Sequence, residues 1–207
     1  MLSDTPFISL EALKIKRGGR LLAHGIQVCV KSGMVVWLKG TNGAGKTTLL
    51  ETLAGLMPGA GDDTRQTCYI PAAPLAWQPF CVGELVRHWQ ALYPGAAPDA
   101  AHPLAALVDR TAWQDRAFKR LSSGQQQRLA LQELLYKAAP VWLLDEPFAS
   151  LDAAAAEQLS SAIRFHAAHG GAVVLTSHQE IDCSTVQLNL NDFKVQQAFI
   201  QQNEAMW

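Results

Sequence analysis

The sequence has no closely spaced cysteine pair, no apolar run long enough to span a bilayer and no excess of charge of either sign. Its four cysteines, Cys29, Cys68, Cys81 and Cys183, lie far apart with no C-x-x-C spacing, which argues against a zinc site or a disulfide framework. They read as reduced and mostly structural. The longest apolar stretches, residues 138–144 and 171–176, are strand-length and far short of the roughly 20 residues a transmembrane helix needs. Lys and Arg total 17 against 18 Asp and Glu, a net charge of −1. That leaves no basic surplus to neutralise a phosphate backbone, so the expectation is no nucleic-acid partner. The first residues lack the basic-then-apolar pattern of a secretory leader, so a cytosolic setting is expected. Work at a membrane would then require another chain.

What is present is apolar material, 49% of 207 residues, enough for one core with a small helical lobe. Residues 7–16 and 26–30 read as two short strands about Gly18-Gly19. Residues 35–38 form a buried strand, followed by a glycine-rich loop and a helix from Lys46 to about residue 56, stopped by Pro58-Gly59. Residues 68–70 form another strand. Residues 83–138 are assigned to a helical subdomain, ending in a helix over 123–137. Strand 141–144, helix 153–168 and strand 172–176 complete a βα alternation, which predicts a mainly parallel three-layer α/β core. The glutamines at 196, 197, 201 and 202 carry no signal.

Gly40-Thr41-Asn42-Gly43-Ala44-Gly45-Lys46-Thr47-Thr48 fills the pattern GxxxxGK[ST] between a buried strand and a helix, the context a P-loop requires. Its backbone amides and the helix N-terminus suit a polyphosphate. Lys46 is expected to reach the β- and γ-phosphates of ATP and Thr47 to bind Mg²⁺. The strand 141–144 runs into Asp145 and Glu146, two adjacent carboxylates that are costly beside a buried strand unless they meet a cation or a proton-transfer task. By strand alternation, Asp145 is assigned to the metal and Glu146 to the attacking water. Ser122 and Gln125 fit a capping box at the start of a helix, and its N-terminus, with the hydroxyls of Ser122 and Ser123, suits an anion. His178 follows a strand whose carboxyl end faces the P-loop side. His166 and His169 share a helix face and read as solvated.

Leu121-Ser122-Ser123-Gly124-Gln125 closely resembles the LSGGQ signature of ABC ATPases, with Ser123 in place of the first glycine. Asp145-Glu146 then resembles Walker B, Ser150-Leu151-Asp152 the D-loop and His178 the switch histidine. Taken in order, these motifs make the whole chain similar to an ABC nucleotide-binding domain. The resemblance implies a P-loop NTPase fold of ABC type with an N-terminal β-subdomain and a small helical subdomain. It also implies a head-to-tail homodimer, in which Lys46 and Glu146 of one subunit face Ser122 and Gly124 of the other, and integral membrane transporter subunits as partners. The runs LSSGQQQRLAL, WLLDEPFASLD and LTSHQ are similar to the haem-exporter ATPases of cytochrome c maturation. That likeness implies a peripheral place on the cytoplasmic face of the bacterial inner membrane and haem-handling proteins as partners.

Three positions depart from the family pattern. The aromatic that stacks on adenine falls near Arg17, so the base is held by a guanidinium or only weakly. Glu133 stands where many relatives carry arginine. The Q-loop glutamine aligns with Ala72 or Ala73, leaving Gln78 as the nearest glutamine. Two rival functions follow: a soluble ABC-type ATPase acting on a macromolecular assembly, and a weakly hydrolysing ATP-sensing module. The first would be favoured by a coiled-coil insertion or a second cassette, and the sequence contains neither. Glu146 and His178 count against complete loss of catalysis in the second.

Overall fold

The computed structural model describes residues 5–59, 66–74, 80–95, 98–99, 101–108 and 110–193. The chain opens with an antiparallel hairpin, β1 (Ile8–Arg17) and β2 (Arg20–Val30). A five-stranded, all-parallel sheet follows: β3 (Val35–Lys39), β4 (Thr67–Ile70), β5 (Val141–Leu144), β6 (Ala172–Thr176) and β7 (Val186–Asn189), in the order β4-β5-β6-β3-β7. Six helices accompany it among the described residues: α1 (Lys46–Leu53), α2 (Val82–Leu92), α3 (Arg110–Trp113), α4 (Ser123–Leu131), α5 (Glu133–Tyr136) and α6 (Ala153–Ala168).

Strand alternation divides the core between the two faces of the sheet. Val35, Trp37, Ile70, Trp142, Leu144, Val173 and Leu175 pack with α2, α4, α5 and α6. Val36, Leu38, Leu143 and Val174 pack with α1 and the hairpin. Both faces are covered, as a parallel sheet of near-continuous apolar strands requires. This is the α/β architecture expected.

Several boundaries differ from the sequence reading. The first hairpin strand keeps the expected length one residue later, and the second is longer, starting at Arg20 beside the Gly18-Gly19 turn rather than at Ile26. Helix α1 stops at Leu53 because Gly55, at φ +75°, ends it. The Leu56 amide bonds the Glu51 carbonyl and the Gly55 amide bonds that of Thr52, a Schellman closure that acts before Pro58 can. The expected helix over 123–137 is broken at Gln132. Its amide N–H bonds the carbonyl of Leu129 and its own carbonyl accepts from Leu135, three-residue spacings that tighten the turn. The Gln132 side chain is fully buried and donates to the Leu104 carbonyl. Between α2 and α4 the described residues hold 3-10 turns over Pro103–Leu107 and Phe118–Arg120 and the four-residue α3, less helix than expected. β7 has no counterpart in the sequence reading; two of its four residues are exposed, and its apolar pattern is weak.

Candidate nucleotide site

The P-loop occupies the turn between β3 and α1. Gly45 is the N-cap of α1 at φ +100°, a conformation that costs any residue with a Cβ, and no side chain caps this end. The first-turn amides therefore remain free to meet an anion, aided by the helix dipole. Lys46 folds back, its Nζ donating to the carbonyls of Gly40 (2.8 Å) and Thr41 (3.5 Å). The loop is braced from outside the motif: Asn191 Oδ1 accepts from the Thr41 amide (3.2 Å) and from its hydroxyl (3.1 Å).

Asp145 lies at the carboxyl end of β5, 3% exposed. Its Oδ2 accepts from the Thr47 hydroxyl and its Oδ1 from the Thr176 hydroxyl, each at 2.8 Å. Glu146 has φ +47°, unusual for a residue with a side chain. This corrects the sequence reading, in which strand alternation separates the two carboxylates. The strand ends at Leu144, and a left-handed backbone turn at Glu146 parts them. The Glu146 amide donates to Thr176 Oγ1 at 2.7 Å, and Glu146 Oε2 accepts from the His178 amide at 3.2 Å. The His178 ring Nε2 stands 3.5 Å from Glu146 Oε1, an oxygen that is buried and, among the described residues, has no hydrogen-bond partner. Two side chains with no assigned role in the sequence reading, Thr176 and Asn191, thus hold the site together. A threonine closing the otherwise aliphatic strand Ala172–Thr176 is the one signal that could have found the first.

A cleft of about 400 Å³ joins these groups. Asn42, Gly43, Gly45, Lys46, Thr47 and Thr48 line it together with Asp145, Glu146 and His178. Arg17 and Leu22 line the hairpin side and Ala72 the β4 side; among the described residues no Phe, Tyr or Trp lines the cleft. Ala72 and Ala73 are both exposed; Gln78 lies outside the described residues. A second cleft, of about 460 Å³, lies near the opposite ends of the strands between Trp142, Phe165 and His166. It is larger but contains none of the motif residues.

The signature segment does not line the P-loop cleft. Ser122 caps α4, accepting from the Gln125 amide at 3.3 Å while the Gln125 side chain accepts from the Ser122 amide at 3.0 Å; Ser122 and Ser123 are exposed. A Cβ on Gly124 would overlap the Ser150 carbonyl, so glycine is required there by close approach of the D-loop. Arg128 of α4 pairs with Asp152 at 2.5 Å, and Asp152 caps α6 through the Ala155 amide. Signature and D-loop are therefore joined within one chain.

Two further side chains have settled places. Glu133 is partly buried and accepts from the Tyr93 hydroxyl at 3.2 Å; burial raises its carboxyl above the usual range. His166 is not solvated as expected. It stacks on Trp142 at 3.9 Å, and burial lowers its pKa to about 4. The neutral ring must then carry its proton on Nε2, which faces the Pro140 carbonyl at 3.1 Å.

Against known proteins, residues 23–149 match the family model described as ABC transporter. The chain belongs to the ABC transporter family. The cytochrome c biogenesis ATP-binding export protein CcmA of Rhodobacter capsulatus is 35% identical over 192 residues, covering 90% of this chain and 88% of that protein. CcmA of Hyphomonas neptunium is 40% identical over 185 residues, covering 86% and 92%. Among solved structures, a dimeric ATP-binding cassette in a post-hydrolysis state, bound to ADP and Pi, superposes with a TM-score of 0.74 at 20% identity, covering 90% and 94%. The ATP-binding subunit of an ABC transporter gives 0.72 at 23% identity, covering 84% and 80%. At those identities the likeness concerns the fold. With the family, this ABC chain is an ATP-binding and ATP-hydrolysing subunit. Among the described residues, no helix is long and apolar enough to cross a membrane.

Proposed function

We propose that this ABC chain powers haem export or handover in cytochrome c biogenesis, docked on integral membrane subunits at the cytoplasmic face of a bacterial inner membrane. The supporting observation is its 40% identity to CcmA of Hyphomonas neptunium over nearly the full length of both proteins. Purification of the chain from detergent-solubilised membranes is expected to bring down integral membrane proteins and haem-handling partners. Recovery of only soluble proteins would overturn the membrane assignment.

In this reading, Lys46 leaves the Gly40 and Thr41 carbonyls and donates to the β- and γ-phosphates of ATP, while the α1 amides receive the phosphate oxygens. The donors Thr47 and Asp145 are a hydroxyl and a carboxylate, all-oxygen chemistry that suits Mg²⁺. Bound there, the ion would supply neutralisation of phosphate charge. Glu146 Oε1, buried and without a hydrogen-bond partner among the described residues, takes a proton from the water that attacks the γ-phosphorus, and the bond from that phosphorus to the bridging oxygen breaks to give ADP and Pi. His178 holds Glu146 through its amide and places its ring near the same carboxylate. Because Ser122, Ser123, Gly124 and Gln125 lie outside the P-loop cleft, a second copy arranged head to tail would bring its signature helix to the γ-phosphate. Such a closed dimer binds ATP preferentially and opens after hydrolysis, moving the membrane subunits.

The loop after β4 offers alanine where an amide could assist the metal and the attacking water. The isolated chain is therefore expected to bind ATP but hydrolyse it slowly. Ala73→Gln should raise kcat about threefold or more with little change in affinity, since an interaction made mainly in the transition state alters rate rather than binding. Steady-state kinetics of that variant, with Ala72→Gln as the alignment control, test this. Unchanged or lower kcat in both would remove the proposed defect.

A further inference from the structure

Thr176 is the last residue of β6 and has no exposed surface. Its hydroxyl bridges the two carboxylate residues at the end of the neighbouring strand. The Glu146 amide can only donate, so Thr176 Oγ1 must accept there, at 2.7 Å. The single hydroxyl proton is then committed to Asp145 Oδ1, at 2.8 Å. Asp145 holds the Thr47 hydroxyl through its other oxygen. A continuous chain thus runs from the P-loop through Asp145 and Thr176 to the backbone of Glu146. That backbone is in the left-handed region, which costs about 1 kcal/mol or more and persists only where surrounding contacts enforce it.

We propose that the Thr176 hydroxyl is a positioning group that fixes Asp145 and Glu146 relative to each other, so that the metal-side carboxylate and the water-activating carboxylate keep one geometry. This rests on the ATPase reading of the cleft. The hydroxyl touches neither substrate nor metal in that reading; it acts through its two neighbours. Valine has the same shape but can neither accept from Glu146 nor donate to Asp145, and serine can do both.

The test compares Thr176→Val and Thr176→Ser in the full chain. ATP hydrolysis and ATP affinity are measured with and without Mg²⁺, alongside thermal unfolding. Thr176→Val is expected to lose about 100-fold in kcat, the scale on which a small misplacement of reacting groups acts, with KM for Mg-ATP raised by about tenfold, much less than the loss in kcat. Its metal-free ATP affinity should match wild type, whereas the tightening of ATP binding on adding Mg²⁺ should shrink by about tenfold, as expected when a ligand set loses a supporting hydrogen bond. Thr176→Ser is expected to restore kcat to within about fivefold of wild type because both hydrogen bonds return. Wild-type kcat in the valine variant, equal losses in both variants, or an unchanged Mg²⁺ effect would each overturn the positioning role. If Thr176→Val does not fold, Thr176→Ala is read by the same criteria. A wild-type chain that neither binds nor hydrolyses ATP would instead overturn the reading of the cleft itself.

Discussion

Lys46→Ala is expected to weaken ATP binding by about 100-fold or more, because charge-assisted hydrogen bonds to phosphate are among the strongest single contacts a side chain makes. The Lys46 ammonium is held by two carbonyl oxygens of the loop. Those partners carry no full charge, and a phosphate oxygen would replace them at a net gain. Lys46 is only partly buried, so its truncation should leave the fold intact. The loop shape is instead held by its glycines and by the Asn191 brace. Calorimetric titration with Mg-ATP, together with a thermal melt of the apo protein, separates the two effects. Wild-type affinity in the variant would remove the P-loop from nucleotide binding.

Glu146→Gln is expected to lower kcat by about 100-fold or more, the contribution typical of a general base, while ATP affinity stays within about threefold. Glutamine preserves the size of the side chain, and its amide oxygen can still accept from the His178 amide, as Glu146 Oε2 does at 3.2 Å. It cannot take up a proton from water. With hydrolysis stalled, the ATP-bound state should accumulate, and an ATP-dependent shift to dimer should become visible by size-exclusion chromatography. Turnover at the wild-type rate would exclude Glu146 as the base. A stalled variant that stays monomeric with ATP would leave the base assignment standing and overturn the shared-site arrangement.

The elements that the sequence predicts best are those with dense local signals. The strands 141–144 and 172–176 and the helix 153–168 fall at the expected residues, because a buried parallel strand is a continuous apolar run and Asp152 is a strong helix cap. Gly55 ends α1 ahead of Pro58-Gly59, where the sequence reading places the stop, because glycine adopts the left-handed φ of +75° with no Cβ penalty. Gln132 was not legible at all. A glutamine in an otherwise helical pattern reads as surface, and only its distant partner, the Leu104 carbonyl, draws it into the core. His166 misled for a related reason. Its helical spacing with His169 suggested a solvent face, but Trp142 lies against the ring.

For the site, the sequence by itself supplied the candidate residues: the phosphate-loop pattern, the Asp145-Glu146 pair and the signature cap are each written in fewer than ten consecutive residues. A short motif is a local object, and its backbone conformation follows largely from its own glycines and caps. Tertiary structure alone decided how those pieces meet. Asn191 reaches the P-loop across 150 residues, and Thr176 joins Asp145 and Glu146 from about 30 residues away. The left-handed turn at Glu146 and the approach of the Ser150 carbonyl to Gly124 likewise bring separate segments together. No local pattern encodes such contacts, because they are set by which strands become neighbours in the sheet, and that order follows from burying both of its faces.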